Sequence, residues 1–210
     1  MQITIILPLK TISIEAVTRL VSLLSCVLVT MAASKFKTRQ FPAEDFVESA
    51  GAILFHLSRK EVCLVRHDEL GERLLPKGRR NCAEQRHQAA LREVQEETGY
   101  KCHVLPVTMK TRCPPTDEVA CPDQPREYDN LREPFFLTTR DLANHNVKLI
   151  WWFIAAVDES AAIQPGFEAP DDKHFEPRFF DYKNAIEVLT FDLDKAIVRR
   201  AVELVNATYR

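Results

Sequence analysis

A chain of 210 residues, 46% hydrophobic and 28% charged, carries enough apolar material for one sizeable core and too little for two full domains. Its 28 basic and 30 acidic residues leave a formal net charge of −2, which excludes a whole-chain electrostatic attraction to nucleic acid or to an anionic membrane. Six cysteines occur without a CxxC pair, which argues against a structural zinc site and for scattered reduced thiols. Cys102, His103, Cys113 and Cys121 lie close enough in sequence to keep a metal cluster or a loop disulfide as alternatives.

Residues 1–34 are rich in Ile, Leu, Val and Ser, with Lys10, Glu15 and Arg19 interrupting two apolar runs that are both too short to span a membrane. The run 20–29, LVSLLSCVLV, has the length of an export-signal core, with Arg19 before it and the small residues Ala32, Ala33 and Ser34 after it. Competing with export are an upstream extension of a chain that starts at Met31 and an organelle presequence, which Glu15 fits poorly. A cytoplasmic and an exported protein are therefore both open, and the expected organisation is an apolar segment 1–34 followed by one domain, 35–210.

Within that domain, 49–57 reads as a buried strand led by small residues, 61–66 as its partner, and 58–60 as the turn between them. Leu74 and Leu75 run into Pro76, Lys77 and Gly78, which open a loop. A helix is expected over about 84–97, with Ala90, Leu91, Val94 and Thr98 on one side and Gly99 as its C-terminal stop. A strand follows at 102–107. The segment 111–146, rich in Pro, Asp, Glu and Arg, reads as a long functional or disordered loop. The run 147–157, VKLIWWFIAAV, is apolar on both faces after Lys148, as a central strand covered on both sides would be. A polar loop is expected at 158–177, then helical spacing at 182–189 and 193–205. Strands interspersed with helices predict an α/β fold, a mixed central β-sheet with helices packed on its faces.

The chemistry concentrates in 78–99. Residues three and four apart on a helix share a side, so Glu93, Glu96 and Glu97 project together and repel one another. A cation is the expected compensation, and carboxylate oxygens suit hard Mg²⁺ or Mn²⁺ rather than zinc. Arg92 can steady a carboxylate through a forked hydrogen bond. A solvated acidic face, the common fate of glutamate runs, leaves the intervals of the surrounding glycine frame unexplained.

Those intervals are Gly78, five residues, Glu84, seven residues, then Arg92-Glu93-Val94-Gln95-Glu96-Glu97-Thr98-Gly99, and they resemble the Nudix hydrolase signature at every defining polar position and glycine. Tyr100 departs mildly, standing where the family usually has an aliphatic residue. The resemblance implies the Nudix fold, an α/β/α sandwich with a loop-helix-loop motif, and hydrolysis of a diphosphate linkage by an activated water with Mg²⁺ (Mn²⁺ as an alternative) as cofactor. It implies that Glu96 and Glu97 are metal ligands, that Glu93 is a ligand or the general base, and that Gly78 offers its backbone carbonyl. Glu84 and Arg92 would steady the loop and helix. The family often recruits a further acid from outside the helix, for which Asp117, Glu118, Glu127 and Glu133 are candidates.

Arg66, His67, Arg73, Lys77, Arg79 and Arg80 form a basic collar in sequence around this segment, suited to a small-molecule substrate with many phosphates. Arg66-His67, the Pro76-Lys77-Gly78 step and the segment from Arg178 to Leu189 look like diphosphoinositol polyphosphate phosphohydrolases, enzymes that often accept diadenosine polyphosphates too. Arg79-Arg80 departs from the glycine-rich version of that branch. Combined with an export signal, the chain would resemble secreted Nudix effectors of plant-pathogenic fungi.

Two other functions compete. One is a nucleotide-preferring hydrolase of diadenosine polyphosphates, nucleotide sugars or capped RNA, in which Trp151 or Trp152 stacks on a base, although the apolar run around them favours core positions. The other is a non-catalytic module that binds a phosphorylated ligand, against which every motif position is filled. Asn206-Ala207-Thr208 has the form of a glycosylation acceptor near the end of a helix, and His56, His87, His103, His145 and His174 show no metal-ligand spacing.

Overall fold

The computed structural model describes residues 35–116, 120–158 and 175–209. The chain divides into two units, Met1–Gln40 and Phe41–Arg210. In the first, residues 35–40 are exposed and irregular, and the expected export signal or extension lies outside the described residues. Among the described residues no helix is long and apolar enough to cross a membrane.

In the second unit, β1 (Phe46–His56) turns through 58–60 into β2 (Glu61–His67), as the apolar runs predict, and the two pair antiparallel. Two short strands, β3 (Arg73–Leu74) and β4 (Lys77–Arg79), follow. Pro76 separates them, so β3 pairs with β2 while β4 pairs with the other half of β1. Helix α1 (Arg86–Thr98) comes next, closed by Gly99 at φ 74°, whose N–H donates to Gln95 O.

The strand expected at 102–107 is two strands, β5 (Cys102–Val104) and β6 (Val107–Thr111). Leu105 and Pro106 break it, and proline cannot continue a ladder. The segment expected as a long loop contains β7 (Arg126–Leu131) and β8 (Phe136–Asp141). Composition hides them because both are exposed strands with polar residues on either side. β7 pairs with β6 in a small separate sheet, while β8 covers one edge of β9 (Val147–Val157).

β9 is the buried strand its sequence predicts: it pairs parallel with β1 and antiparallel with β8 and β5 on the other side. The loop expected to reach residue 177 gives way earlier to β10 (Phe175–Asp181), which pairs with β2. The chain then forms α2 (Tyr182–Val188) and α3 (Asp192–Thr208).

The sheet order is β10-β2-β1-β9-β5, mixed because only β1 and β9 run parallel. Alternation along β1 feeds two cores: Ala50, Ala52 and Leu54 pack with Ala89, Ala90 and Val94 of α1, and Ile53 and Phe55 pack with Ile197, Val198, Ala201 and Leu204 of α3. Each fully buried Val, Leu or Ile contributes roughly 1.5–3 kcal/mol, so these faces fix α1 against the sheet. The α/β/α arrangement is the one expected, and Tyr100 fills its apolar slot edge-on against Phe179, with ring centroids 5.1 Å apart.

Candidate functional site

α1 enters from the 79–85 loop with its polar side turned back toward β4. Arg92 holds that side together. Its Nε and Nη2 donate to the two carboxylate oxygens of Glu84 at 2.8 and 3.0 Å, and Nη1 donates to Glu93 at 2.8 Å and Glu96 at 3.1 Å. Nη2 also donates to the Arg79 carbonyl at 2.9 Å. Glu84 accepts a further bond from the Asn81 N–H, and the Arg92 contacts, outweighing partial burial, hold its carboxyl below the usual range. Conversely, the carboxylates of Glu84, Glu93 and Glu96 make the Arg92 guanidinium hold its proton more firmly than usual. The support roles expected of Glu84 and Arg92 thus have a geometry.

The three glutamates do not share one environment. Glu93 and Glu97, one turn apart, are each 4% exposed, whereas the Glu96 side chain is 35% exposed. At 100° per residue, position 96 falls about 60° to one side of 93 and position 97 about 40° to the other. Glu97 Oε2 accepts the Lys77 N–H at 3.1 Å, and the Glu93 carboxylate lies against Gly78, where a Cβ would overlap it. Gly78 is therefore required by close approach, the backbone of β4 resting on an acid of α1. Among the described residues no three acidic, histidine or cysteine side chains converge as a metal cage. What the site offers is buried, hard oxygen donors from Glu93 and Glu97 beside the Gly78 backbone, with the more exposed Glu96 next to Glu97 in the chain, a donor type that suits Mg²⁺ or Mn²⁺.

These acids open onto a cleft of about 350 Å³ whose lining also includes Lys77, Arg79 and Lys148. The collar read from the sequence divides accordingly. Lys77 and Arg79 line this cleft. Arg80 turns away, donating to Glu48 at 2.8 Å and to the carbonyls of Glu84 and Asn81 at 2.8 and 3.3 Å, so it braces the loop. Arg66 and Arg73 line a different hollow of about 410 Å³ together with Arg178, and Arg66 pairs with Glu176 at 3.6 Å. His67 packs edge-on against Phe175, and its Nδ1 is buried without a hydrogen-bond partner among the described residues.

Of the candidate additional acids, Asp117 and Glu118 lie outside the described residues. Glu127 sits on exposed β7 opposite Lys110, and Glu133 lines a third hollow of about 480 Å³ with Glu84 and His87. Neither lines the cleft of Glu93 and Glu97. Asp194, which the sequence reading missed, is buried at the start of α3; burial pushes its carboxyl up while Arg140 and Lys77 pull it down.

Glu48 was missed too. It accepts from Arg80 Nε, from Arg86 Nε and Nη2 at 2.9 and 2.6 Å, and from Trp151 Nε1 at 2.9 Å. Burial pushes its carboxyl up, but the bonds from Arg86 and Trp151 and the charges of Arg86 and Arg80 outweigh this and lower it. Its partners are 32, 38 and 103 residues away, so no local motif could reveal it. The Arg86 guanidinium also lies 4.1 Å from the Trp151 ring centre, covering one ring face. Trp152 is core, as the apolar run predicts. Cys63, Cys82, Cys102, Cys113 and Cys121 are free thiols; burial pushes Cys102 up to about 12, and His103 pairs with Asp158, not with a cysteine.

Solved structures that the chain matches include a NUDIX hydrolase from Nitrosomonas europaea, 17% identical over 77% of this chain and 88% of that one, with a TM-score of 0.47. They also include the C. elegans Ap4A hydrolase, 17% identical over 75% and 96% of the two chains, TM-score 0.45, and the E. coli dihydroneopterin triphosphate pyrophosphohydrolase, 14% identical over 74% and 94%, TM-score 0.46. No curated protein matches the chain. The NUDIX domain family model matches residues 45–201, a span that contains the loop, the glutamate helix and the sheet that carries them, and the chain belongs to the Nudix hydrolase family.

Proposed function

We propose that this chain is a Mg²⁺-dependent pyrophosphohydrolase that cleaves a diphosphate linkage in a highly phosphorylated small molecule, best matched by a diphosphoinositol polyphosphate. One observation carries the proposal: the buried carboxylates of Glu93 and Glu97 and the cations Lys77, Arg79 and Lys148 line the same cleft. Glu93, Glu96, Glu97 and the Gly78 carbonyl would hold the metal, which when bound supplies neutralisation of phosphate charge and a more acidic water. The chain's own groups do the rest. Lys77 and Arg79 would bind non-bridging oxygens of the cleaved diphosphate, Glu93, as an alternative to metal ligation, would take the proton of the attacking water, and Arg92 keeps Glu93 and Glu96 oriented.

Nucleotide substrates are disfavoured because Arg86 already occupies one face of Trp151, the ring best suited to stack on a base. The test is phosphate release from inositol pyrophosphates, diadenosine polyphosphates, nucleotide sugars and capped RNA, with Mg²⁺ and with Mn²⁺. Inositol pyrophosphates should give the highest kcat/KM. Glu96→Gln and Glu97→Gln should fold and lose turnover by about a thousand-fold, the scale of several kcal/mol of charge stabilisation. No turnover of any substrate, or undiminished activity in these variants, refutes the proposal.

A further inference from the structure

Lys148 lines the cleft although it lies outside the motif, and the sheet register sets Arg140 beside it. Arg79 pairs with Ser49, which pairs with Ile150, which pairs with Thr138. One row over, Lys77, Gly51, Trp152 and Phe136 line up across the same four strands. On the other side lies Val47-Lys148-Arg140, two residues along each strand and therefore on the same face. The face thus has a pair of cations on β4, the small side chains of Ser49 and Gly51 between, and a second pair of cations on β9 and β8. Gly51 is required there by close approach: a Cβ would stand 2.5 Å from the Pro76 carbonyl oxygen, 2.6 Å from Lys77 Cβ and 2.8 Å from the Trp152 ring.

At about 4.8 Å per strand, β9 and β8 stand roughly 10 and 14 Å from β4. That separation between the two pairs of cations suits two different phosphates of one compact molecule. Burial lowers the Lys148 ammonium first, and the charges of Lys77, Arg140 and Arg79 lower it further. Among the described residues none of the four side chains makes an ion pair or a hydrogen bond. Against the four cations stand three carboxylates, Asp194 within electrostatic reach of Arg140 and Lys77, and Glu93 and Glu97 in the cleft lining, whose charge the metal would offset.

We infer that Lys148 and Arg140 form a second anion subsite, which holds a phosphate of the substrate that is not attacked. This inference rests on the proposed cleavage of a highly phosphorylated substrate and adds the residues that would select for it. A substrate with phosphates on opposite sides of a ring spans both pairs of cations; a simple diphosphate reaches only one.

The experiment is calorimetric binding of inositol hexakisphosphate to the full chain, which needs no turnover, for wild type, Lys148→Gln, Arg140→Gln and Arg66→Gln. Each of the first two should weaken binding about ten-fold, the scale of one charge-assisted contact, and should flatten its salt dependence. Arg66→Gln, in the other hollow, should change it less than about two-fold. Lys148→Arg should restore binding. Because Lys148 is half-buried, Arg140→Gln on exposed β8 keeps the test alive if Lys148→Gln fails to fold. Unchanged binding in a folded Arg140→Gln, or an equal loss in Arg66→Gln, overturns the subsite. Binding that depends on Arg140 and Lys148, without turnover of any inositol pyrophosphate, would support the subsite and sink the substrate assignment.

Discussion

Two knots of arginine and carboxylate clamp the loop between β4 and α1, and they differ in how they are made. In the first, Arg92 gathers Glu84, Glu93 and Glu96, all within the motif, so one cation serves several acids. In the second, Glu48 of β1 gathers Arg80, Arg86 and Trp151, so one acid serves several donors. Arg80 joins them, giving its Nε to Glu48 and an Nη1 donor to the Glu84 carbonyl. Between them Ala83 is held at φ 61°, a left-handed conformation that costs an L-residue roughly 1–2 kcal/mol. The first knot includes acids that would hold the metal. The second lies outside the cleft lining.

Breaking the first knot should have the larger effect. Arg92→Lys keeps the charge but cannot make a planar fork to Glu84 while also reaching Glu93, Glu96 and the Arg79 carbonyl. Turnover should fall about 10–100-fold, as when a supporting partner of a metal ligand is removed, and stability should fall by about 2 kcal/mol. Steady-state kinetics and urea unfolding measure both. Turnover equal to wild type would show that Glu93 and Glu96 need no positioning by Arg92.

Breaking the second knot should reverse the proportions. Glu48→Gln leaves one acceptor for four donor atoms and removes a charge that two arginines face, so stability should drop by about 1.5–3 kcal/mol. Turnover should stay within about three-fold. The pH dependence sharpens the contrast. The Glu48 carboxyl is lowered in the folded chain, so its contribution is fully present above the ordinary value of 4.5 and is lost as pH falls through the folded value. The stability difference between wild type and Glu48→Gln should therefore be constant near neutral pH and shrink as pH falls below 4.5. A difference that grows on acidification would mean that Glu48 is not the stabilising anion of the knot.

The contrast between the knots also explains what could be read from the chain. The first was legible in part because a helix fixes which side chains meet, Glu96 following Arg92 by one turn; Glu84 lies in the loop before the helix and was read from the motif interval. β9 was legible because burial on both faces leaves an unbroken apolar run. The second knot depends on register between strands and helix, which no local pattern encodes. The same holds for Lys148 and Arg140. In sequence Lys148 marks only where the apolar run begins, and Arg140 lies in a segment whose polar composition hid β8 altogether. Arg66 and Arg73 show the converse: near the motif in sequence, they open onto another hollow because β3 stays with β2 while β4 crosses to β1.

Trp151 gives the smallest effect and bears on the substrate. Trp151→Phe removes the Nε1 donor to Glu48 and weakens the ring under Arg86, at a cost of about 1 kcal/mol. In a domain of this size that should lower Tm by roughly 2–4 °C. If the tryptophan only braces the second knot, KM for diadenosine polyphosphates and for inositol pyrophosphates should move together and little. A rise confined to the nucleotide would mean that a base displaces Arg86 and stacks on the ring, and it would return the chain to the nucleotide-hydrolysing branch of its family. The variant thus decides whether the knot that the sequence concealed is only a brace or also part of the substrate site.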